Sequence, residues 1–241
     1  MTKTLKVLSA MLSYPDEMLA AASAELAQAL DEERLLPADV RPPLDALIEE
    51  IGCADVYDLQ ERYVELFDRT RSLSLHLFEH VHGESRDRGQ AMIDLKLLYE
   101  QAGLKLSAGE LPDFLPAFLE YLSRLPLAEA LNLLRDTAHI LRALSERLQS
   151  RKSPYEAVFR ALEALAGPPS EEAAAELVPE DPNADPNDFA ALDEAWEEEA
   201  VSFGPDAAPA CKERLIAQIR AGRRPAAGRP AANPAAKGET L

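Results

Sequence analysis

Residues 131–148, LNLLRDTAHILRALSERL, set Leu131, Leu134, Ala138, Leu141, Leu144 and Leu148 at steps of three or four. That spacing brings an apolar side chain back to one side of a 3.6-residue helix at each turn, and it predicts a single amphipathic helix of about five turns. No segment of the chain shows the sustained alternation of a half-buried strand. Leu and Ala dominate, β-branched residues are sparse, and Gly is only 10 of 241 residues, a mix that favours helix over sheet. The expected fold class is all-α: a single bundle-like domain of about nine helices.

Working outward from that helix, the same signals recur on both sides. Leu5, Leu8 and Leu12 mark a first helix stopped at Tyr14-Pro15, and Asp16 is placed to cap a second that carries Leu19, Leu26 and Leu30. A third runs near 43–51 through Leu44, Leu47, Ile48 and Ile51, and ends at Gly52. Asp55 caps a fourth with Val56, Leu59, Tyr63, Leu66 and Phe67 on one stripe. Residues 72–81 read as a fifth. Arg86 to Ala102 reads as a sixth, with Ile93, Leu97 and Leu98 inward and Gly103 just past its end. A seventh lies between Pro112 and Pro126, with Pro116 in its first turn, where proline is tolerated. The 131–148 helix is the eighth, and Pro154 opens a ninth that Gly167-Pro168-Pro169 terminates. The domain is therefore expected to span residues 1–167. Residues 168–241 read as a partly disordered tail, proline-broken and acidic at first, then basic and of low complexity, with too little apolar surface to offset the entropy of ordering. A lone Trp196 and a short helix near 210–220 are its only ordered candidates.

Charge and cysteine usage narrow the function classes. The net charge is −18, and the 14 acids of residues 161–211 meet no Lys or Arg. Such a balance argues against a phosphate backbone as ligand and fits a basic or apolar polypeptide. Cys53 and Cys211 are too isolated for a disulfide framework and read as free thiols of a reducing compartment. The amino terminus reads as an amphipathic helix rather than a signal peptide, and no apolar run approaches the ~18 residues of a membrane span. A soluble, cytoplasmic protein is expected.

The chemistry concentrates in residues 74–89, SLHLFEHVHGESRDRG, which hold three of the 4 histidines. His76-Leu-Phe-Glu79-His80 spells H-x-x-E-H, the signature of one class of zinc peptidase. On a helical wheel Leu73, Leu77, Phe78 and Val81 share the core arc, while His76, Glu79 and His80 share a polar arc flanked by Leu75. Two histidines are only two ligands, however, and nothing in the sequence singles out a third. The run of alternating charge from Glu84 to Arg88, bracketed by glycines, fits a recognition element better than a plain connection. There is no phosphate-cradling glycine loop, no CxxC and no nucleophile elbow.

The block from Tyr63 to Leu95, YVELFDRTRSLSLHLFEHVHGESRDRGQAMIDL, closely resembles the central block of the respiratory nitrate reductase molybdenum cofactor assembly chaperones, often called the delta subunit. LSAMLSYPDE, LPDFLPAFLEYLS and AWEEEAVSFG extend the resemblance over most of residues 5–205. It implies an all-helical member of the wider redox-enzyme maturation chaperone superfamily. Such a protein is not an enzyme and carries no cofactor or metal of its own. It implies a cytoplasmic chaperone that binds the N-terminal segment of the apo catalytic (alpha) subunit of nitrate reductase. The chaperone assists insertion of the molybdenum cofactor before the complex reaches the membrane, and does not remain in the mature enzyme. Nucleic acid is not an expected partner. The candidate client-binding residues are Tyr63, Phe67, Leu75, His76, Glu79, His80, His82, Glu84, Arg86, Asp87 and Arg88, with no catalytic or metal residue. The rival readings are a zinc metallopeptidase and a helical peptide-binding adaptor for another molybdoenzyme.

Overall fold

The computed structural model describes residues 2–81, 85–107 and 109–169, and for 85–87 the backbone alone. Among the described residues it has ten α-helices and no β-strand. They are α1 (Lys3–Met11), α2 (Glu17–Ala21), α3 (Ser23–Glu33), α4 (Arg41–Cys53), α5 (Val56–Tyr63), α6 (Ser85–Gln101), α7 (Leu115–Arg124), α8 (Leu127–Asp136), α9 (Ala138–Ser150) and α10 (Glu156–Ala166). The expected Trp196 anchor, the helix near 210–220 and Cys211 lie outside the described residues.

Helix α1 sits at the centre, packed against α3, α7 and α10, while α10 also packs on α4, α8 and α9. Its sequence explains the position, because Thr4, Leu5, Val7, Leu8, Ser9 and Met11 bury more than half of its circumference, leaving Lys3 and Lys6 on the exposed side. Of the polar members of that set, Ser9 is tied down by its Oγ, which donates to the Pro116 carbonyl at 2.7 Å. Glu33, at the end of α3, accepts the Lys3 and Thr4 N–H groups that open α1. Asp16 and Asp55 cap α2 and α5 as expected, accepting from the N–H groups of Leu19 and Tyr57 at 2.8 Å. Gly103 and Gly167 close α6 and α10 at positive φ, +77° and +79°, where a side chain would strain the backbone.

Three expectations about the helices' extent are corrected. The second helix is two, α2 and α3, joined through Ala22. The five-turn helix of residues 131–148 is also two, α8 and α9, parted at Thr137, whose hydroxyl donates to the Leu134 carbonyl at 2.8 Å. Leu134, Ala138, Leu141, Leu144 and Leu148 of the expected stripe are all buried, with Leu133 and Ile140 joining them and Leu131 half-buried, so the packing face is as expected and only the continuity of the helix is not. The fifth helix is absent: residues 71–81 hold two short 3-10 turns, Arg71–Leu73 and Leu77–Glu79, around an isolated antiparallel bridge between His76 and Phe114. Helix α6 forms where expected but is rotated. Ala91, Leu95, Leu98 and Tyr99 face inward, and Ile93 and Leu97 are 55% and 47% exposed.

Candidate functional site

Residues 71–81 run as irregular backbone, so several of their buried polar groups take partners from elsewhere. Asp113, just ahead of α7, supplies three of these bonds. It is fully buried; Oδ2 accepts the Phe78 N–H and Oδ1 lies on His76 Nδ1, both at 3.2 Å, while its carbonyl accepts the Leu77 N–H at 3.0 Å. Leu115 N–H in turn donates to the Leu75 carbonyl at 2.8 Å. These bonds replace the i→i−4 ladder of a helix. The hydrogen bond to Asp113 is the main cause raising the His76 pKa above its usual value, against a smaller opposing effect of burial. The His76 ring also lies 5.4 Å from that of Phe114.

His80 belongs to the interior. Its Nε2–H donates to the Ser74 carbonyl at 2.6 Å, and its Nδ1 accepts from an Arg147 guanidinium nitrogen at 3.4 Å. Burial lowers its pKa, which keeps the imidazole neutral and consistent with that pattern of bonds. The same Arg147 nitrogen donates to the Ser72 carbonyl at 2.7 Å, so α9 clamps the segment at two points. Glu79 lies 3.7 Å from Arg88 at the start of α6.

Several placements expected from the helical wheel therefore change. Tyr63, Phe67, Leu75 and His80 are core residues, 3–4% exposed, and form the wall beneath the surface rather than the surface itself. His76, Glu79 and Arg88 remain partly accessible and close together in space. His82 and Glu84, and the side chains of Arg86 and Asp87, lie outside the described residues. The zinc-peptidase reading needed His76 and His80 one helical turn apart on a free face. Instead His76 is extended, both nitrogens of His80 are committed to the protein, and among the described residues no three His, Cys, Asp or Glu side chains converge on a metal position.

The sequence reading missed Asp113, Phe114, Ser74 and Arg147. One signal was present: Leu73, Leu75 and Leu77 alternate with Ser74 and His76, and all three leucines are buried. Helix α7 itself begins after Phe114 with no side-chain cap.

Beside this segment α5 widens into a π-helical turn, Val64–Asp68, in which the Arg69 N–H reaches the Val64 carbonyl at 3.0 Å. Its inner side seats Tyr63 and Phe67 in an aromatic cluster with Tyr155, and Tyr63 donates its hydroxyl to the Leu12 carbonyl at 2.9 Å. Its outer side lines a cleft of about 240 Å³ formed by Tyr14, Gln60, Glu61, Val64, Glu65 and Arg69. Tyr14 is 51% exposed and stands edge-on to Tyr63 at 5.6 Å.

Residues 15–161 match the family model of the nitrate reductase delta subunit. The chain is 46% identical over 204 residues to the nitrate reductase molybdenum cofactor assembly chaperone NarJ of Escherichia coli K12, covering 84% of this chain and 85% of that one. It is 44% identical over 218 residues to the probable assembly chaperone NarW of the same strain, covering 90% of each. With the probable NarJ of Bacillus subtilis it shares 30% identity over 175 residues, 66% of this chain and 85% of that one. These relatives carry the names of assembly chaperones, not of catalysts. The chain belongs to the nitrate reductase delta subunit family of molybdenum cofactor assembly chaperones.

Proposed function

We propose that this protein is the dedicated chaperone of a respiratory nitrate reductase, and that it binds the N-terminal segment of the apo catalytic (alpha) subunit in the cytoplasm. Binding holds the client in a state open to the molybdenum cofactor and ahead of membrane attachment, and the chaperone then leaves. The high identity to assembly chaperones over most of both chains is the observation that carries this reading. Two physical features support it. No helix among the described residues is long and apolar enough to cross a membrane. The net charge of −18 favours encounter with a basic segment. His76, Glu79 and Arg88 are the accessible polar groups proposed to meet the client. A chaperone that must release its client calls for intermediate affinity, about −8 kcal/mol or somewhat beyond, which corresponds to micromolar or tighter binding.

The test is co-purification with the tagged catalytic subunit expressed without molybdenum cofactor. The complex is expected with the intact subunit and is expected to fail once its N-terminal segment is deleted. Undiminished capture of the truncated subunit would show that the segment is not what the chaperone holds.

A further inference from the structure

We infer that the cleft on the outer side of the π-helical turn is a docking subsite for a short basic segment of the client. The segment seats one apolar side chain between Tyr14 and Val64 and sets a Lys or Arg against Glu61 and Glu65. The inference rests on the client reading above and names a place for it that no part of the histidine-rich segment supplies.

Size comes first. At about 240 Å³ the cleft is smaller than the ~300–1,000 Å³ of sites that enclose a drug-sized ligand, so it suits a side chain better than a cofactor. Its apolar wall is prepared in advance. Tyr14 is exposed, yet its ring is steadied by edge-on contact with the buried Tyr63, and the Gln60 amide donates to the Pro15 carbonyl at 2.8 Å, fastening the loop that carries Tyr14 to α5. An aromatic side chain held in place gives contact area at low entropic cost. Tyr57, 80% exposed, stands one helical turn before Gln60 and Glu61 and extends the same face. The charge fixes the partner's sign: Glu61 and Glu65, both exposed, outnumber Arg69 in the lining. An acidic segment would meet both these carboxylates and the field of a strongly acidic protein. The π turn carries Val64 and Glu65 out to this wall while Tyr63 and Phe67 stay in the core, so the cleft is built on a rigid base.

The test is calorimetric titration of the full-length protein with a synthetic peptide of the client's N-terminal segment, at low and high salt. Glu61→Lys and Glu65→Lys are each expected to weaken binding about tenfold at low salt, and the loss is expected to shrink at high salt. Glu49→Lys, an equal charge change on an exposed position of α4, is expected to stay within about twofold of the parent. Tyr14→Ala is expected to weaken binding at both salt concentrations. A peptide with its Lys and Arg replaced by Glu is expected to regain affinity for the Glu61→Lys/Glu65→Lys variant. Both glutamates are exposed, so these variants keep the core, which thermal melts check. If the parent binds the peptide and the cleft variants bind as tightly, the subsite is wrong and the client reading stands. If the parent binds no peptide, the client reading falls and takes this occupant with it.

Discussion

At the scale of single residues, the histidine-rich segment depends on groups that lie far from it in sequence. Removing Asp113 strands the Phe78 N–H and the His76 ring, and Asp113→Ala is expected to cost about 1–3 kcal/mol in urea unfolding. Leu77→Ala, at a site 2% exposed, is expected to cost about 2–5 kcal/mol. Arg88→Ala, which loses the long, partly exposed ion pair to Glu79, is expected to stay within about 1 kcal/mol. The two histidines act on stability in opposite pH directions. His76 has a raised folded pKa, so its contribution is full below the unfolded value of about 6.5 and is lost as pH rises through the folded one. His80 has a lowered folded pKa, so its contribution holds above about 6.5 and is lost as pH falls through the folded one. Urea midpoints across pH 5–9 are therefore expected to lose their alkaline decline in His76→Gln and part of their acid decline in His80→Gln. A His80→Gln profile parallel to the parent's over the acid limb would show that His80 is not buried neutral. None of these roles was readable from the H-x-x-E-H spelling, because the partners that define them, Asp113, Arg147 and the Ser74 carbonyl, are brought to the histidines by the fold.

At the scale of elements, capping and periodicity located the helices, and packing decided their faces and breaks. Helix α6 shows this best. Its length and its closing glycine followed from the sequence, but its apolar residues fall on two arcs, Ile93 and Leu97 on one and Ala91, Leu95, Leu98 and Tyr99 on the other, so periodicity alone does not choose the buried one. Leu95→Ala or Leu98→Ala is expected to cost about 2–5 kcal/mol, and Ile93→Ser or Leu97→Ser less than about 1 kcal/mol, in the same unfolding assay. Equal losses at all four positions would mean α6 buries both arcs. Gly52 marks a second element-scale constraint. It sits inside α4, where a Cβ would come within 2.4 Å of the Ser23 hydroxyl oxygen and 2.8 Å of the Ser23 Cβ. Gly52→Ala is therefore expected to destabilise by about 1–3 kcal/mol through forced separation of α3 and α4. Ser23→Gly in the same chain is expected to recover part of that loss, a coupling that a double-mutant cycle measures.

At the scale of the whole molecule, the described residues already supply an extensive core. Buried residues run from α1 to Ala166, and α10 packs on α1, α4, α8 and α9. We accordingly propose that residues 1–167 form the folding unit and that 168–241 add function rather than stability. A 1–167 fragment is expected to unfold in one cooperative step with a midpoint close to that of the full chain. A broad, non-cooperative melt would place part of the core in the tail. The shorter fragment also carries less negative charge, so its rate of association with a basic client segment is expected to fall more than its dissociation rate rises.

The sequence by itself determined the all-α class, the positions of most helices, the aspartates that cap α2 and α5, the glycines that end α6 and α10, and the family. The structural features among these are local: a cap, a period of 3.6 and a positive-φ glycine each act within a few residues of themselves. Only the tertiary structure decided the conformation of residues 71–81. There Leu73, Leu77 and Val81 fit a helix and Leu73, Leu75 and Leu77 fit an extended strand, so local preference is divided. The balance is settled by Asp113, 35 residues beyond Phe78, and by Arg147, 75 residues beyond Ser72. A buried backbone group takes whichever partner the fold brings to it, and partners that distant cannot be identified from the segment they organise.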